Sequence, residues 1–292
     1  MRILIFGAGV IGSLYGALMA DAGYDVSVYA RGKRLETLLQ DGLRYKYKGQ
    51  VRTAPVKVLS EVAQDDCYDF IFLAVRENQL HAALEELRQN ASPTIVTMVN
   101  SVETYDKWET ICGSGRIIPA FPGAGGGFDG RVLDAALTPR LIQPTTLGKT
   151  DGKERKLVPV FRRAGIPYQI VPDMHAWQLC HLVLVVPIAD AYYRADDPEN
   201  AGRDAALMRD AAKQIRDNLN ALTERGIQLS PKKMQVLRLL PVSLVGYILG
   251  FVFRSSFGHR FMYQHSMKAP DEMRRLHEQF YCWLEETLDQ DE

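Results

Sequence analysis

The chain has 292 residues, with 35 basic and 35 acidic side chains and a formal net charge of zero. This balance excludes a general electrostatic attraction to nucleic acid or to anionic membranes. An apolar fraction of 47% allows a sizeable core, and the length predicts two domains.

The N-terminal stretch follows the order strand, glycine turn, helix, strand. An apolar run at 2–6 predicts a buried strand, and the next residues, Gly7-Ala8-Gly9-Val10-Ile11-Gly12, have the form G-x-G-x-x-G. A helical pattern and a second apolar run at 26–30 follow. In this context the motif predicts dinucleotide binding, because the glycines let bare backbone approach a pyrophosphate at a helix N-terminus. The alternative is a glycine turn in an α/β sheet that binds nothing.

The residues after the second strand indicate which dinucleotide is bound. NAD enzymes carry an acidic residue there, which holds the ribose 2′-hydroxyl. This chain instead reads Tyr29-Ala30-Arg31-Gly32-Lys33-Arg34. Arg31 can hold a 2′-phosphate through two hydrogen bonds, while Lys33 or Arg34 adds positive charge. We therefore expect NADP as the cofactor; the alternative is a solvated basic turn that opens the next helix.

The rest of the first domain alternates between strands and helices. In chain order, the predicted elements are a helix to about residue 40, a hairpin over 45–58, a strand at 69–75, a helix over 80–87, strands at 95–99 and 117–121, a flexible glycine loop or lid at 122–127, short strands at 131–138 and 141–148, a helix at 153–164 and a strand at 168–171. This alternation predicts an α/β, doubly wound parallel sheet of Rossmann type over residues 1–171.

Residues 172–292 are predicted to form an all-α second domain for the substrate or for dimerisation. The expected helices cover 177–193, 201–225, 230–253 with a kink, and 271–288, with Ser230-Pro231 as a helix start. The uncharged stretch 239–253 would span only about 22 Å as a helix, short of the roughly 30 Å hydrocarbon core. We expect no membrane span here, but a core helix or a homodimer interface; a membrane-surface contact is the alternative.

The four cysteines are scattered along the chain. Without a C-x-x-C pair they indicate neither a metal site nor a disulfide framework, so we expect no bound metal. Thiols of this kind fit a reducing compartment, and no charged leader with a cleavage site precedes the first strand. A cytoplasmic location is the expectation.

Polar residues follow two of the predicted strands where a ligand of an open parallel sheet would bind. The strand at 69–75 ends in Ala74-Val75-Arg76, and the strand at 95–99 is followed by Asn100. We expect these residues to contact the ribose, the nicotinamide or an anionic substrate. The alternatives are that Arg76 caps a surface turn and that Asn100 is a simple turn residue.

Together these features resemble the ketopantoate reductase family, whose members reduce 2-ketopantoate to pantoate with NADPH. The likeness rests on the glycine motif, Arg31, the strand that ends in a cation followed by Gln79, Asn100, and the helical domain entered through Trp177. The resemblance implies a Rossmann domain joined to a helical domain like that of 6-phosphogluconate dehydrogenase, with the substrate in the cleft between them.

The resemblance also implies roles for particular residues. The glycine motif and Arg31 would bind NADPH, Asn100 would position cofactor and substrate, and Arg76 would replace a family lysine near the cofactor. Glu272 would fill the place of a family glutamate, and Ser266 would face the substrate.

Two positions depart from the family pattern. The family's proton-donating lysine lies two residues after the helix tryptophan, where this chain has Leu179. The asparagine expected one turn later is Val183. Candidates to replace the lysine are His175, His181, His265 and Lys268, since histidine suits proton transfer near neutral pH.

We therefore expect an NADPH-dependent reductase of a small 2-oxo acid or a related carbonyl, with Asn100, Glu272, His181 and His175 as catalytic candidates. The expected cofactor-binding residues are Gly7, Ala8, Gly9, Val10, Ile11, Gly12, Arg31, Lys33, Ala74, Val75, Arg76 and Asn100. The alternative function is that of a non-catalytic NADP-binding sensor or partner-binding protein that has lost the catalytic lysine.

Overall fold

The structure, a computed structural model, describes residues 1–286. The chain divides into two units, Met1–Met174 and a second that begins at His175. The strands are β1 (Arg2–Phe6), β2 (Asp25–Tyr29), β3 (Leu43–Tyr47), β4 (Gln50–Ala54), β5 (Lys57–Leu59), β6 (Phe70–Leu73), β7 (Ile95–Thr97), β8 (Ile117–Ile118), β9 (Ala120–Phe121), β10 (Ala124–Asp129), β11 (Val132–Leu137), β12 (Thr145–Gly148) and β13 (Tyr168–Val171).

The helices of the first unit lie between these strands, and those of the second follow one another. The α-helices are α1 (Val10–Asp21), α2 (Gly32–Asp41), α3 (Leu80–Leu87), α4 (Tyr105–Cys112), α5 (Val158–Arg163), α6 (Met174–Arg194), α7 (Ala205–Glu224), α8 (Lys233–Leu239), α9 (Val242–Phe253), α10 (Ser256–Gly258), α11 (Gln264–Lys268) and α12 (Pro270–Glu286). The other helical segments are 3-10 turns at Glu77–Gln79, Lys153–Leu157 and Pro198–Arg203 and a π-helix at His259–Tyr263.

The main sheet of the first unit has the strand order β5-β2-β1-β6-β7-β8 within the described residues, and all its pairings are parallel. Strand β1 is central, and its side chains alternate between two apolar clusters: Ile3 and Ile5 pack on one face, Leu4 and Phe6 on the other. A strand buried on both faces needs this unbroken apolar sequence. The predicted doubly wound parallel sheet is confirmed.

The predicted hairpin at 45–58 exists only in part. Strands β3 and β4 pair in an antiparallel manner across a tight turn, in which Lys48 and Gly49 have positive φ. Strand β5, however, leaves the hairpin and joins the edge of the main sheet in parallel with β2. It continues the sheet on the far side of β2 from β1.

Most of the glycine run at 122–127 belongs to strand β10, which begins at Ala124, rather than to the predicted flexible loop. Strand β10 pairs along its length with β11. A side chain at Gly126 would place its Cβ 2.3 Å from the backbone oxygen of Asp134, so the glycine permits a backbone approach that other residues would block. The strand predicted at 141–148 is also shorter than expected and covers only β12.

In the second unit the predicted long helix at 230–253 is two helices, α8 and α9, separated by Leu240 and Pro241. Helix α8 begins at Lys233 rather than at Ser230-Pro231. Helix α12 is described as far as Glu286. The last two residues of the helix predicted at 271–288 lie outside the described residues. The α10–α11 segment was not expected from the sequence.

Helix α6 is long and apolar enough, with a mean hydropathy of 1.2, to cross a bilayer by length and composition alone. Two thirds of that stretch (67%) is buried inside the protein, as in the core helix of a globular domain. Length and hydropathy are therefore weak evidence for a span here.

Gly12 is the residue that fixes how closely helix α1 approaches strand β1. A Cβ there would lie 2.0 Å from the backbone oxygen of Gly7 and 2.9 Å from Ile5. We predict that Gly12→Ala lowers the free energy of unfolding by about 2–3 kcal/mol through overpacking. Gly9→Ala is the matched control, since its Cβ would meet nothing within 4 Å, and should cost less than about 1 kcal/mol. Equal losses in urea unfolding would contradict this packing role.

Candidate functional site

The glycine loop between β1 and α1 exposes its backbone to open space at Gly9. Gly7 has a φ of +107°, and a Cβ there would lie 2.5 Å from the carbonyl oxygen of Ala74. Gly9, by contrast, faces open space, and as the N-cap of α1 it offers no side chain to the first N–H groups of the helix. Free N–H groups at a helix N-terminus attract phosphate oxygens. The loop therefore has the shape and polarity that a pyrophosphate requires.

The ends of neighbouring strands meet at the same edge of the sheet. Ala74 follows β6, and its N–H bonds the carbonyl of Phe6 at the end of β1. Val75 lies next to Gly7, with 3.1 Å between its Cγ1 and a Cβ built on the glycine. Arg76 follows as an exposed residue. The structure thus brings the expected Ala74, Val75 and glycine-loop residues together.

Asn100 lies just beyond β7, the next strand along this edge, since the N–H of Met98 bonds the carbonyl of Leu73. Its Oδ1 atom is buried and accepts no hydrogen bond from any residue in the described range 1–286. A buried amide oxygen without a partner is costly and uncommon in folded proteins. A ligand donor at this edge would satisfy it, which fits the expectation that Asn100 binds cofactor or substrate.

Arg31 lies at the end of β2 but is already paired. Its guanidinium donates to the Tyr29 hydroxyl and to the Glu86 carboxylate of helix α3. Tyr29 in turn donates to Glu86 at 2.7 Å. These contacts raise the pKa of Arg31, through Tyr29 first and Glu86 second. A 2′-phosphate at this position would compete with Glu86 for the arginine.

The other two cations of this turn differ in their surroundings. Arg34 donates from Nε to the carbonyl of Ala8 at 2.9 Å and from its terminal nitrogen to Ser13 Oγ at 3.1 Å. Its guanidinium also lies 4.4 Å from the centre of the Phe128 ring. Lys33 is exposed. Of the two cations that the sequence left open, Arg34 is therefore the one held against the glycine loop.

Glu86 is the residue of this site that the sequence interpretation missed. Glu86 lies on α3, more than 50 residues after the basic turn, and its carboxylate pairs with Arg31. No local sequence pattern predicts a contact between residues so far apart in the chain. The sequence around residue 31, over 29–34, contains no carboxylate. The structure supplies that carboxylate from another helix.

In the second unit, three of the predicted residues lie close enough to influence one another electrostatically. Burial, and secondarily His265, lowers the pKa of His181 to about 3. Desolvation also lowers the pKa of His265, and the Glu272 carboxylate opposes that shift. The ring of His181 stacks on Trp177 at 5.4 Å. His181, His265 and Glu272 thus form one cluster.

The pKa of His181 changes the role that the sequence suggested for it. A group with a pKa of about 3 is neutral at pH 7, so it holds no extra proton to give to a forming alkoxide. A neutral imidazole can still donate one hydrogen bond. The expectation of His181 as a proton donor near neutral pH does not fit this environment.

The remaining helix α6 residues are part of the packing. His175 meets the ring of Trp283 edge-on at 6.4 Å, which is a different environment from that of His181. Leu179 and Val183, the positions where the resemblance expects a lysine and an asparagine, are fully buried. A lysine at position 179 would be a buried charge in an apolar environment, which is costly.

Two cavities lie away from the predicted site residues. One cavity of about 400 Å³ is lined by Arg140, Arg162, Tyr168 and their neighbours, and another of about 260 Å³ by Asp190, Tyr193, Arg274 and His277 with Pro270. Neither lining includes a predicted site residue. Among residues 1–286 no group of three histidine, cysteine or acidic side chains is arranged to hold a metal.

Comparison with known proteins places residues 3–132 in the family model described as ketopantoate reductase PanE/ApbA. A 2-dehydropantoate 2-reductase of Mesorhizobium japonicum is 33% identical over 138 residues, which cover 46% of this chain but only 38% of that protein. The alignment thus spans well under half of the relative's length.

Solved structures resemble the chain over nearly all its length, at identities that show the fold alone. A 2-dehydropantoate 2-reductase from Geobacter metallireducens matches with a TM-score of 0.65 at 16% identity and covers 100% of both chains. A ternary structure of D-mandelate dehydrogenase with NADH and anilino(oxo)acetate matches with a TM-score of 0.63 at 17% identity over 99% of both. The Rossmann-like unit followed by helices is therefore a fold that these enzymes share.

The low pKa of His181 makes the stability of the protein depend on pH. In the unfolded chain His181 binds a proton below its ordinary pKa of about 6.5. In the folded chain it stays neutral down to about pH 3, so protonation favours the unfolded state. The free energy of unfolding should therefore fall as the pH drops from about 6.5, by up to about 2 kcal/mol at pH 5.

The measurement is urea unfolding at pH 7 and pH 5 for the wild type and for His181→Gln. The variant should lose less stability over this interval than the wild type. If His181→Gln and the wild type lose the same amount, His181 is not held neutral in the folded state.

Proposed function

We propose that this chain, whose residues 3–132 match the model of the ketopantoate reductase family, is an NADPH-dependent reductase of a small 2-oxo acid or a related carbonyl compound. The proposal rests on one observation: strands β1, β6 and β7 end at the same edge of the main sheet. They bring together an open glycine loop, Ala74-Val75 and the unpartnered buried oxygen of Asn100.

The comparisons support the reaction class. Relatives that match this chain are named 2-dehydropantoate 2-reductase, and a structural neighbour holds NADH together with anilino(oxo)acetate. Both names describe enzymes that act between a carbonyl and an alcohol. The nicotinamide cofactor, the 2-oxo acid class and the role of the helical unit in substrate binding or dimerisation are proposals for this chain.

The residues of the first unit fit a dinucleotide. The free N–H groups at the start of α1 would hold the pyrophosphate, and Arg31 with Arg34 would hold a 2′-phosphate. A bound nicotinamide supplies the hydride. Asn100 would accept a hydrogen bond from the ligand through Oδ1 and orient it at the sheet edge.

The substrate is proposed to differ from 2-ketopantoate. Leu179 and Val183 provide neither the amine nor the amide that the family resemblance expects, and both are packed in the core. Glu272 and the neutral His181 remain as groups that can bind a polar substrate by hydrogen bonds. A 2-oxo acid of a different shape, or an imine formed from one, suits this altered helix better.

The function is tested by following NADPH absorbance with a panel of 2-oxo acids that includes 2-ketopantoate. We expect turnover with at least one acid other than 2-ketopantoate. Asn100→Leu should lower turnover by about 100-fold, since an oriented hydrogen bond at the reacting group is lost. The free energy of unfolding should not fall, because the replaced oxygen bonds no residue in the described range.

Two results would contradict this proposal in different ways. Turnover of 2-ketopantoate alone would overturn the divergent substrate. Tight NADPH binding without turnover across the panel would favour a non-catalytic NADP-binding protein, for which the buried Leu179 is the supporting observation.

The preference for NADPH is proposed to depend on the competition for Arg31. Arg31→Ala should reduce the NADPH-to-NADH affinity ratio by about 10–100-fold, the worth of a charge-assisted contact to phosphate. Glu86→Gln should instead tighten NADPH binding by up to about fivefold, because the arginine no longer pairs with an exposed carboxylate. Calorimetric titration with both coenzymes measures these effects.

Glu85→Gln is the matched control for this pair of variants. Glu85 is an exposed carboxylate on the same helix, paired with Arg88 at 3.3 Å and not with Arg31. It should leave both affinities unchanged. If Glu86→Gln weakens NADH binding and leaves NADPH unaffected, Glu86 holds a ribose hydroxyl and the cofactor is NAD.

A further inference from the structure

One face of helices α8 and α9 is apolar and exposed. It consists of Val236, Leu239, Leu244, Tyr247, Ile248 and Phe251, which we call the α8–α9 face. Leu239 is 76% exposed, Tyr247 73% and Phe251 66%. The sequence interpretation of this stretch as a core helix therefore holds only for its opposite side, where Val245 and Phe253 are buried.

The α8–α9 face is presented by a firmly packed helix. Four of its residues on α9 recur at the spacing of one helical face, 244, 247, 248 and 251. On the other side, Gly246 and Gly250 bring α9 close to its neighbours: a Cβ on Gly246 would lie 3.2 Å from Arg209 of α7, and one on Gly250 3.0 Å from the Gly202 oxygen. The four exposed side chains of α9 are thus fixed in one row.

An exposed row of this kind is uncommon in a protein that acts alone. Single exposed apolar residues need no explanation, but contiguous apolar patches mark binding to another protein or to a membrane. With two large aromatic rings and four aliphatic side chains, the α8–α9 face can remove on the order of several hundred Å² from water. That area is enough to bind a surface.

The stretch of chain that contains both helices carries charges of one sign. Between Glu224 and Asp271 the sequence contains no aspartate or glutamate. The cations of the same stretch are Arg225, Lys232, Lys233, Arg238, Arg254, Arg260 and Lys268. Since the whole chain is neutral, this stretch is a local concentration of positive charge along the sequence. The carboxylate of Glu199, from the 3-10 turn before α7, lies 3.9 Å from His259 of the stretch.

The charge pattern distinguishes between two possible partners of this face, a second copy of the chain and an anionic lipid surface. In a two-fold dimer through the α8–α9 face, the same basic stretch would lie opposite itself, with no carboxylate within it to pair with Arg238 or Arg254. An anionic lipid surface has the opposite charge and accepts apolar side chains between its headgroups. The charges therefore favour lipid.

We propose that the α8–α9 face binds the surface of an anionic membrane, with both helices lying in the plane of the interface. The uncharged stretch 239–253 is too short to cross the bilayer, and Pro241 separates the two helices. Leu239, Tyr247 and Phe251 enter the headgroup region, while Arg238 and Arg254 contact the phosphates. This binding is independent of the proposed catalytic function.

The test is co-sedimentation of the full chain with vesicles of phosphatidylcholine alone and of phosphatidylcholine with phosphatidylserine. We expect binding to the anionic vesicles only, weakened by salt. Tyr247→Ser combined with Phe251→Ser should reduce the partition coefficient at least tenfold. Arg238→Gln should reduce it about fivefold.

The matched controls change residues outside this face. Leu141→Ser removes an apolar side chain that is 94% exposed in the first unit, and Lys107→Gln removes an exposed cation there. Both should bind like the wild type, and circular dichroism checks that every variant is folded. Equal partition of all variants would overturn the proposal. A dimer in light scattering that the Tyr247/Phe251 variant dissociates, without vesicle binding by the wild type, would assign the face to a second copy.

Discussion

The close backbone contact between Gly7 and Gly12 is the constraint on which the first unit depends. It lets α1 begin directly above the end of the central strand β1, so that the first N–H groups of the helix point to the sheet edge. The neighbouring strands β6 and β7 then deliver Ala74-Val75 and Asn100 to that same edge. Without these glycines the helix would stand off from the sheet, and the open backbone at Gly9 would not form a phosphate cradle.

In the basic turn after β2, Arg31 already contacts another part of the protein, so a bound phosphate would have to compete for it. Arg31 is available to a phosphate only in competition with Glu86, while Arg34 is already fixed against the loop by Ala8 and Ser13. Such an arrangement can read the difference between a 2′-hydroxyl and a 2′-phosphate, because the first can pair with the carboxylate and the second only with the cations. If the chain binds NADPH as proposed, its choice of coenzyme depends on Glu86 of α3 as well as on the cations of the turn.

The sequence predicts the parts of this fold that have a local cause. Apolar runs predict the buried strands, and the glycine spacing predicts the turn and helix that follow β1. The sequence did not predict strand β10, because its glycines look like a loop until β11 pairs with them, nor the contact of Glu86 with Arg31, which joins elements distant in the chain. The environment of His181 was equally invisible, since its burial depends on packing between helices of the second unit. The ligand contacts of the site residues stay predictions.

The most direct measurement of the central claim is a crystal structure of the chain with NADPH bound. We expect the pyrophosphate on the N–H groups at Gly9 and Val10, and a donor of the ligand or of an ordered bridging water within about 3 Å of Asn100 Oδ1. A dinucleotide bound elsewhere, or a glycine loop that stays empty at saturating NADPH while Asn100 turns to a protein partner, would contradict it.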